Sequence, residues 1–382
     1  MQTSFVALSV LEPRQARADL SSDELPSIVE SGRITFRLAK SRGFCHGVER
    51  ALRLARETLA VSGSRRVWIT SPILHNPHIN SELRSGGIRF LSDSPSLWED
   101  LRPDDIVLLP AFGAPPEVRE RLARRGCAVV DTTCGSVVFV WKNVDQFVRD
   151  GLTVVYHGCA LHEEALATLS RLGVKEGEGC TSAPYLVLES LTEAEALASF
   201  LRREIDGPTL LAAIPHRSAG FDPCRHLERI GLASQTTMLA RETAMIEKVL
   251  LAAMESGVGA ARARDRFRVQ DTICGATQDR QDAVVDLLKS PVNLMIVVGG
   301  FNSSNSAHLA ELAAQSVPSY HIEGPNDVLS TNAIRHRVAG MPAPIVSSSW
   351  LPRGNIVVGL TSGASTPEEI VQSVIARICD VS

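Results

Sequence analysis

Short continuous apolar runs alternate with helix-period segments along most of the chain, and this alternation constrains the fold more than any other feature. Residues 66–70, 105–110, 153–156, 185–188, 209–214, 293–298 and 356–360 read as strands. Most are apolar at every position rather than every second one, the pattern of strands buried on both faces of a parallel sheet. Helical periodicity covers 47–60, 116–125, 162–172, 238–254, 276–289, 306–315 and 367–378. Repeated strand–helix units predict an α/β protein with mostly parallel sheets. The 382 residues suffice for two or three domains. The expected partition is a first α/β domain over 34–133, a second over 134–271 and a third over 272–350. A strand and helix over 351–382 would complete a central site. Residues 1–33 break the pattern. Their mixture of Arg, Asp, Ser, Glu and Pro lacks periodicity and reads as a poorly ordered extension.

Composition narrows the partners. The net charge is −4 and there is no long basic block, which argues against nucleic acid or an anionic membrane surface. No apolar run reaches the roughly 20 residues that a membrane span needs. Residues 1–11 lack the basic start of a secretory signal, and Asp19, Asp23, Glu24 and Glu30 count against a transit peptide. A cytoplasmic location is expected. The eight cysteines (45, 127, 134, 159, 180, 224, 274 and 379) form no C-x-x-C pair. In a reducing compartment, disulfides are not expected.

Three of these cysteines share a setting. Asp131-Thr132-Thr133-Cys134 and Asp271-Thr272-Ile273-Cys274 repeat the pattern D-T-x-C, and Arg42-Gly43-Phe44-Cys45 also stands just before a helical segment. A helix N-terminus offers free N–H groups and the positive end of the dipole. Both favour the thiolate, the form that binds metals and iron–sulfur clusters. Three thiolates on a four-iron cluster would leave one iron open to substrate. Spacing alone leaves three unrelated structural cysteines as an equal reading.

Polar turns point to an anion. Gly299-Gly300-Phe301-Asn302-Ser303-Ser304-Asn305-Ser306 joins a strand to a helix, where backbone N–H groups and small polar side chains converge on phosphate. One such residue suffices for an N-cap, and this turn has more. In Thr361-Ser362-Gly363-Ala364-Ser365-Thr366-Pro367-Glu368-Glu369, a cap at Thr366 with Pro367 and Glu369 accounts for the end of the motif. It leaves Ser365 and the glycine before it for close approach to a ligand. His75-Asn76 follows a strand, and His162-Glu163-Glu164 opens a helix; a His and a Glu together can bind an anion and deliver a proton. His75-x-x-His78 resembles half of a metal site without a second half. Gln235-Thr236-Thr237 precedes another helix and is uninformative by itself.

The segments RGFCHGVERAL, VDTTC, HEEALAT, SQTTMLARET, DTICGATQDRQDAV, VVGGFNSSNSAHLAEL and GLTSGASTPEEIV, in this order, resemble the LytB/IspH family of diphosphate reductases, in its cyanobacterial and plant-like form. The resemblance runs from about Arg42 to Ile378. It implies three α/β units around a central [4Fe–4S] cluster held by Cys45, Cys134 and Cys274, with one iron free of protein ligands. It implies that His75, His162, Ser303, Asn305 and Ser365 hold a diphosphate, with Ser304 beside them. Glu164 would be the proton source and Thr236 part of the relay. The implied activity is reductive dehydroxylation of 4-hydroxy-3-methylbut-2-enyl diphosphate to isopentenyl and dimethylallyl diphosphate, the last step of the methylerythritol phosphate pathway. Electrons would come from ferredoxin or flavodoxin. Phe112 stands where other members carry a His. Gly135-Ser136 replaces a Pro and a bulky residue, Gly275 an Asp, and Cys159 a Lys. Those departures keep a second reading open: a diverged paralogue that reduces another allylic or hydroxylated substrate. A non-catalytic cluster protein would not need His162, Glu164 and the 302–305 turn. Zinc would need a fourth local ligand.

Overall fold

The computed structural model describes residues 27–173, 183–341 and 343–382. Most of the amino-terminal extension and Cys180 lie outside them. Continuous apolar runs became buried parallel strands, as their composition requires. The first sheet has the order β4 (Arg89–Phe90), β3 (Val67–Ile69), β5 (Ile106–Leu109), β6 (Ala128–Asp131), all parallel. The second has the order β10 (Phe267–Val269), β9 (Ile230–Ser234), β7 (Thr153–His157), β8 (Tyr185–Leu188), again all parallel. The third runs β1 (Ile28–Ser31), β2 (Ile34–Leu38), β16 (Ile356–Ser362), β11 (Leu294–Val298), β12 (Ser319–Ile322), with β1 alone antiparallel. A small antiparallel sheet of β13 (Val328–Ser330), β14 (Ala333–His336) and β15 (Ile345–Ser348) is joined to the third core through Val328 and Ile334.

The three cysteines mark where the chain leaves one unit for the next. Strand β2 belongs to the third sheet, but the helix after Cys45, His46–Val61, packs Val48, Ala51 and Leu52 on Val67 and Ile69 of the first. Strand β6 belongs to the first sheet. The helix after Cys134, Gly135–Arg149, packs Val140, Val144 and Phe147 on Val154 and Tyr156 of the second. Strand β10 belongs to the second sheet. The helix after Cys274, Gly275–Leu288, packs Ala283, Val284 and Leu287 on Met295 and Val297 of the third. Burial of each helix's apolar stripe on the neighbouring sheet thus directs all three crossings to the same central point.

The structure differs from the sequence partition in four places. Ile34–Leu38, expected in the first domain, pairs in parallel with Ile356–Ser362 in the third sheet. Residues 28–31, expected in a poorly ordered extension, form the edge strand β1. The run 209–214 is not a strand: Gly207–Ala213 is a helix, capped by Asp206, whose carboxylate accepts the Thr209 N–H at 2.9 Å, with Pro208 in the first turn. Cap, proline and the Leu-Leu-Ala-Ala run favour helix over the β signal of one Thr and one Ile. Finally, the last helix begins at Glu368, and Thr366 does not cap it. The Thr366 hydroxyl donates to the Val298 carbonyl at 3.1 Å instead.

Candidate functional site

Each sheet sends its strand ends to the same centre. Every residue singled out from the sequence lies two to seven residues beyond the carboxyl end of a parallel strand, where open α/β sheets place their ligands. All eleven line one cavity of about 100 Å³: Cys45, Cys134, Cys274, His75, His162, Glu164, Thr236, Ser303, Ser304, Asn305 and Ser365. His78 is not among them; it packs beside Gly324 instead. His75 and His78 therefore form no metal half-site.

The cysteines share one backbone setting, though only the Cys274 sulfur accepts a cap bond, from the Thr277 N–H. Each is the N-cap residue of its helix, in extended conformation. Each N–H is donated to the loop beyond the adjacent strand: Cys45 to Ala364 at 3.1 Å, Cys134 to Ala111 at 2.9 Å, Cys274 to Thr236 at 3.0 Å. Gly47 brings two sulfurs together. A Cβ there would lie 2.6 Å from Cys134 Sγ and 3.8 Å from Cys45 Sγ. Burial pushes the Cys274 thiol up, and the Thr277 hydroxyl, 3.1 Å from Sγ, pulls it down; the Cys45 sulfur and Glu164 raise it further. Three thiols at three helix N-termini, converging on one cavity, fit a thiolate-bound cluster.

Gly135 and Gly275 follow two of these cysteines. Neither has an atom within 4 Å of where a Cβ would stand, and neither has a positive φ. Nothing in the packing therefore requires glycine at either position. Gly135→Ala should raise unfolding free energy by about 0.4–1 kcal/mol, through a less flexible unfolded chain, in a denaturant titration.

A second set of residues in the same cavity suits an anion. Ser303 caps helix Ser304–Ala314, accepting the Ser306 N–H at 3.2 Å. Asn305 is 4% exposed, yet neither amide atom has a partner among the described residues, and the Ser365 hydroxyl is likewise buried and unpaired. Native chains pair nearly all such groups, so two unpaired ones in one cavity are consistent with completion by a ligand. Each costs about 1–3 kcal/mol while unpaired. Asn305→Leu should therefore stabilise the ligand-free chain by about that amount in chemical denaturation. It should also weaken inorganic diphosphate about tenfold or more by calorimetry, the loss of roughly one hydrogen bond to a charged acceptor. Gly363 was expected to admit a ligand. It instead makes room for Ser306, whose Oγ would lie 2.1 Å from a Cβ there. Gly300 lets the turn reach the His75 loop, where a Cβ would stand 2.1 Å from the His75 carbonyl oxygen.

His162 caps helix Glu163–Leu169: its Nδ1 accepts the Glu164 N–H at 3.1 Å. A neutral ring accepting at Nδ1 carries its proton on Nε2. That N–H donates to His75 Nε2, 3.1 Å away. Burial pushes both imidazoles down to about 4, so both are neutral at pH 7 in the empty site. His75, His162 and Glu163 also bring three ligand atoms within 4.8 Å. The cap hydrogen bond leaves His162 Nε2 no lone pair for a cation, and its N–H reaches an anion only by leaving His75. Phe112 stacks on His75, with ring centroids 4.3 Å apart, and fixes that ring without offering a polar contact.

Glu164 lines the same cavity, 1% exposed. Thr236 donates twice to its carboxylate, from N–H at 2.8 Å and Oγ1 at 2.7 Å. Burial pushes the carboxyl up to about 7 against the pull of those bonds. Ser304 turns toward Thr237, Oγ to Oγ1 2.6 Å, and receives a bond from Gln235 Nε2 at 3.3 Å. It joins the second and third units rather than facing the cavity alone.

Sequence reasoning missed the residues that hold these loops. Asn76 donates to the Ser365 carbonyl at 2.7 Å while capping helix Pro77–Ser85. Gln235 accepts the Cys159 N–H at 3.1 Å. His308, one turn beyond Ser304, lies 2.8 Å from the Thr237 carbonyl, to which its Nδ1–H donates. The Asn-Pro pair at 76–77 was a readable cap signal; the other two act across units and left none. Cys159 is exposed and, with Arg337, lines a neighbouring pocket that shares His75, His162, Ser303 and Ser304 with the cavity.

Among the described residues no helix is long and apolar enough to cross a membrane. The LytB protein family model matches residues 36–379. The 4-hydroxy-3-methylbut-2-enyl diphosphate reductase of Gloeobacter violaceus is 41% identical over 92% of this chain and 84% of its own length. That of Thermosynechococcus vestitus is 40% identical over 91% and 85%. A solved reductase structure, described as the terminal enzyme of the non-mevalonate pathway, is 30% identical, with a TM-score of 0.53 over 91% of this chain and 99% of its own. A Plasmodium falciparum reductase, at 22% identity, shares the fold with a TM-score of 0.65 over 89% and 86%. Family match and fold agree: the chain is a member of the LytB family of iron–sulfur reductases.

Proposed function

We propose that this chain reduces 4-hydroxy-3-methylbut-2-enyl diphosphate to isopentenyl and dimethylallyl diphosphate, the activity named in its relatives. Cys45, Cys134 and Cys274 would hold a [4Fe–4S] cluster, one per chain. When bound, the cluster supplies electrons and an iron without a protein ligand that acts as a Lewis acid. The observation that carries the reading is one cavity lined together by three cysteine N-caps, by unpaired Asn305 and Ser365, and by Glu164.

The chain's residues divide the remaining work. Ser303, Asn305, Ser365 and the His162 N–H bind the diphosphate, with Ser304 beside them. His75, fixed by Phe112, takes the second imidazole position. This grip lies away from the reacting carbon and supplies orientation. Glu164, held by Thr236, gives a proton to the allylic hydroxyl, which leaves as water. Overall, two electrons and two protons replace C–OH by C–H and release water. Ferredoxin or flavodoxin delivers the electrons. A cytoplasmic, reducing setting suits the seven described cysteines, all free thiols.

Gly135 and Gly275, exposed beside two of the cysteines, leave a second reading, a diverged reductase of another allylic or hydroxylated substrate. The anaerobically purified, reduced protein should convert the named substrate into both five-carbon diphosphates. A loaded cluster with no turnover would sink the first reading and leave the second.

A further inference from the structure

Arg280 sits in the helix that starts at Cys274, yet it is 3% exposed. Its two terminal nitrogens donate to backbone carbonyls, of Ala276 at 2.8 Å and Gly43 at 2.7 Å. Those carbonyls lie two residues from Cys274 and from Cys45. The guanidinium therefore ties the two cysteine loops together. Its Nε–H is buried and has no acceptor among the described residues. No carboxylate among them pairs with it either. The charges that act on it are, in order, Cys45, Cys274 and the exposed, solvent-screened Asp279. A buried cation without an anion is strongly unfavourable, and chains keep one where a partner arrives later.

We propose that Arg280 is the buried counter-cation of the thiolate-bound cluster, raising its reduction potential through its charge and its free Nε–H. The proposal rests on the reading that Cys45, Cys134 and Cys274 hold an iron–sulfur cluster. Reduction adds negative charge beside Arg280. A fixed buried cation and an unpaired N–H between the Cys45 and Cys274 loops stabilise the reduced state more than the oxidised one. Arg280 touches neither the diphosphate wall nor Glu164, so it is a positioning residue that acts through the cluster.

The test is a mediated redox titration of anaerobically reconstituted wild type, Arg280→Lys and Arg280→Gln, followed by electron paramagnetic resonance. The Gln variant should titrate at a clearly more negative midpoint than wild type, and the Lys variant should keep most of the native value. A Gln variant that loads and titrates at the wild-type midpoint overturns the proposal. So does a Lys variant shifted as far as Gln. If the Gln variant folds but holds no cluster, the Lys variant decides: a near-native midpoint upholds the role of charge, and a lowered one overturns it. A wild-type chain that takes up no iron overturns the cluster reading itself, which separates the two failures.

Discussion

Glu164→Gln should fold, load its cluster and lose roughly 10²–10⁴-fold in turnover, the range of a lost general acid. Gln keeps the shape: its oxygen accepts the Thr236 N–H and its NH2 donates to the Thr236 hydroxyl, the two groups that hold the carboxylate at 2.8 and 2.7 Å. It has no proton to give. Burial raises the Glu164 carboxyl to about 7, so the acid form is present below that pH and is lost above it. Turnover should therefore fall on the alkaline side, through a pKa near 7, and the residual activity of the Gln variant should lack that limb. The same shift has a stability consequence. The folded chain holds this proton more tightly than the unfolded one, so stability is fully present below the unfolded carboxylate's ordinary range. It declines as pH rises towards 7. The Gln variant should be more stable than wild type at pH 8, by urea titration. Full activity in the Gln variant, or an unchanged pH profile, would remove Glu164 from the proton path.

Cys274→Ser should abolish cluster binding and reduce turnover to background while leaving the fold intact. Serine is itself a good N-cap, so the helix Gly275–Leu288 keeps its start, and the Thr277 N–H keeps an acceptor. The change is confined to chemistry: a hydroxyl does not ionise as a thiol does and is a poor ligand for iron. Visible absorption and iron content should fall together, and circular dichroism should not change. The same result is expected at Cys45 and Cys134, because the three share one backbone setting. A Cys274→Ser protein with native iron content and activity would break the three-ligand account.

Much of this site was legible because local rules decide it. The D-T-x-C echo placed Cys134 and Cys274 at helix starts, and the structure makes them N-caps. The 299–306 turn showed more polar residues than a cap needs, and the surplus, Asn305, is a buried amide without a partner among the described residues. What stayed hidden is non-local. Nothing within 34–38 reveals that it pairs with 356–360, more than 300 residues away. Nothing within the helix Gly275–Leu288 reveals that Arg280 reaches the Gly43 carbonyl. The 209–214 run misled because five of its six residues are apolar, and the decisive cap, Asp206, lies outside it. Likewise Thr366 had a suitable sequence for a cap, but the Val298 carbonyl took its hydroxyl.

The central claim is that one cavity takes both a cluster and a diphosphate, on two different sets of its residues. It is tested most directly by a crystal structure of the anaerobically reconstituted protein with inorganic diphosphate, with data collected at the iron absorption edge. The account predicts iron density bonded to Cys45, Cys134 and Cys274, and diphosphate against Ser303, Asn305 and Ser365. Iron on other residues, or diphosphate bound outside this cavity, would contradict it.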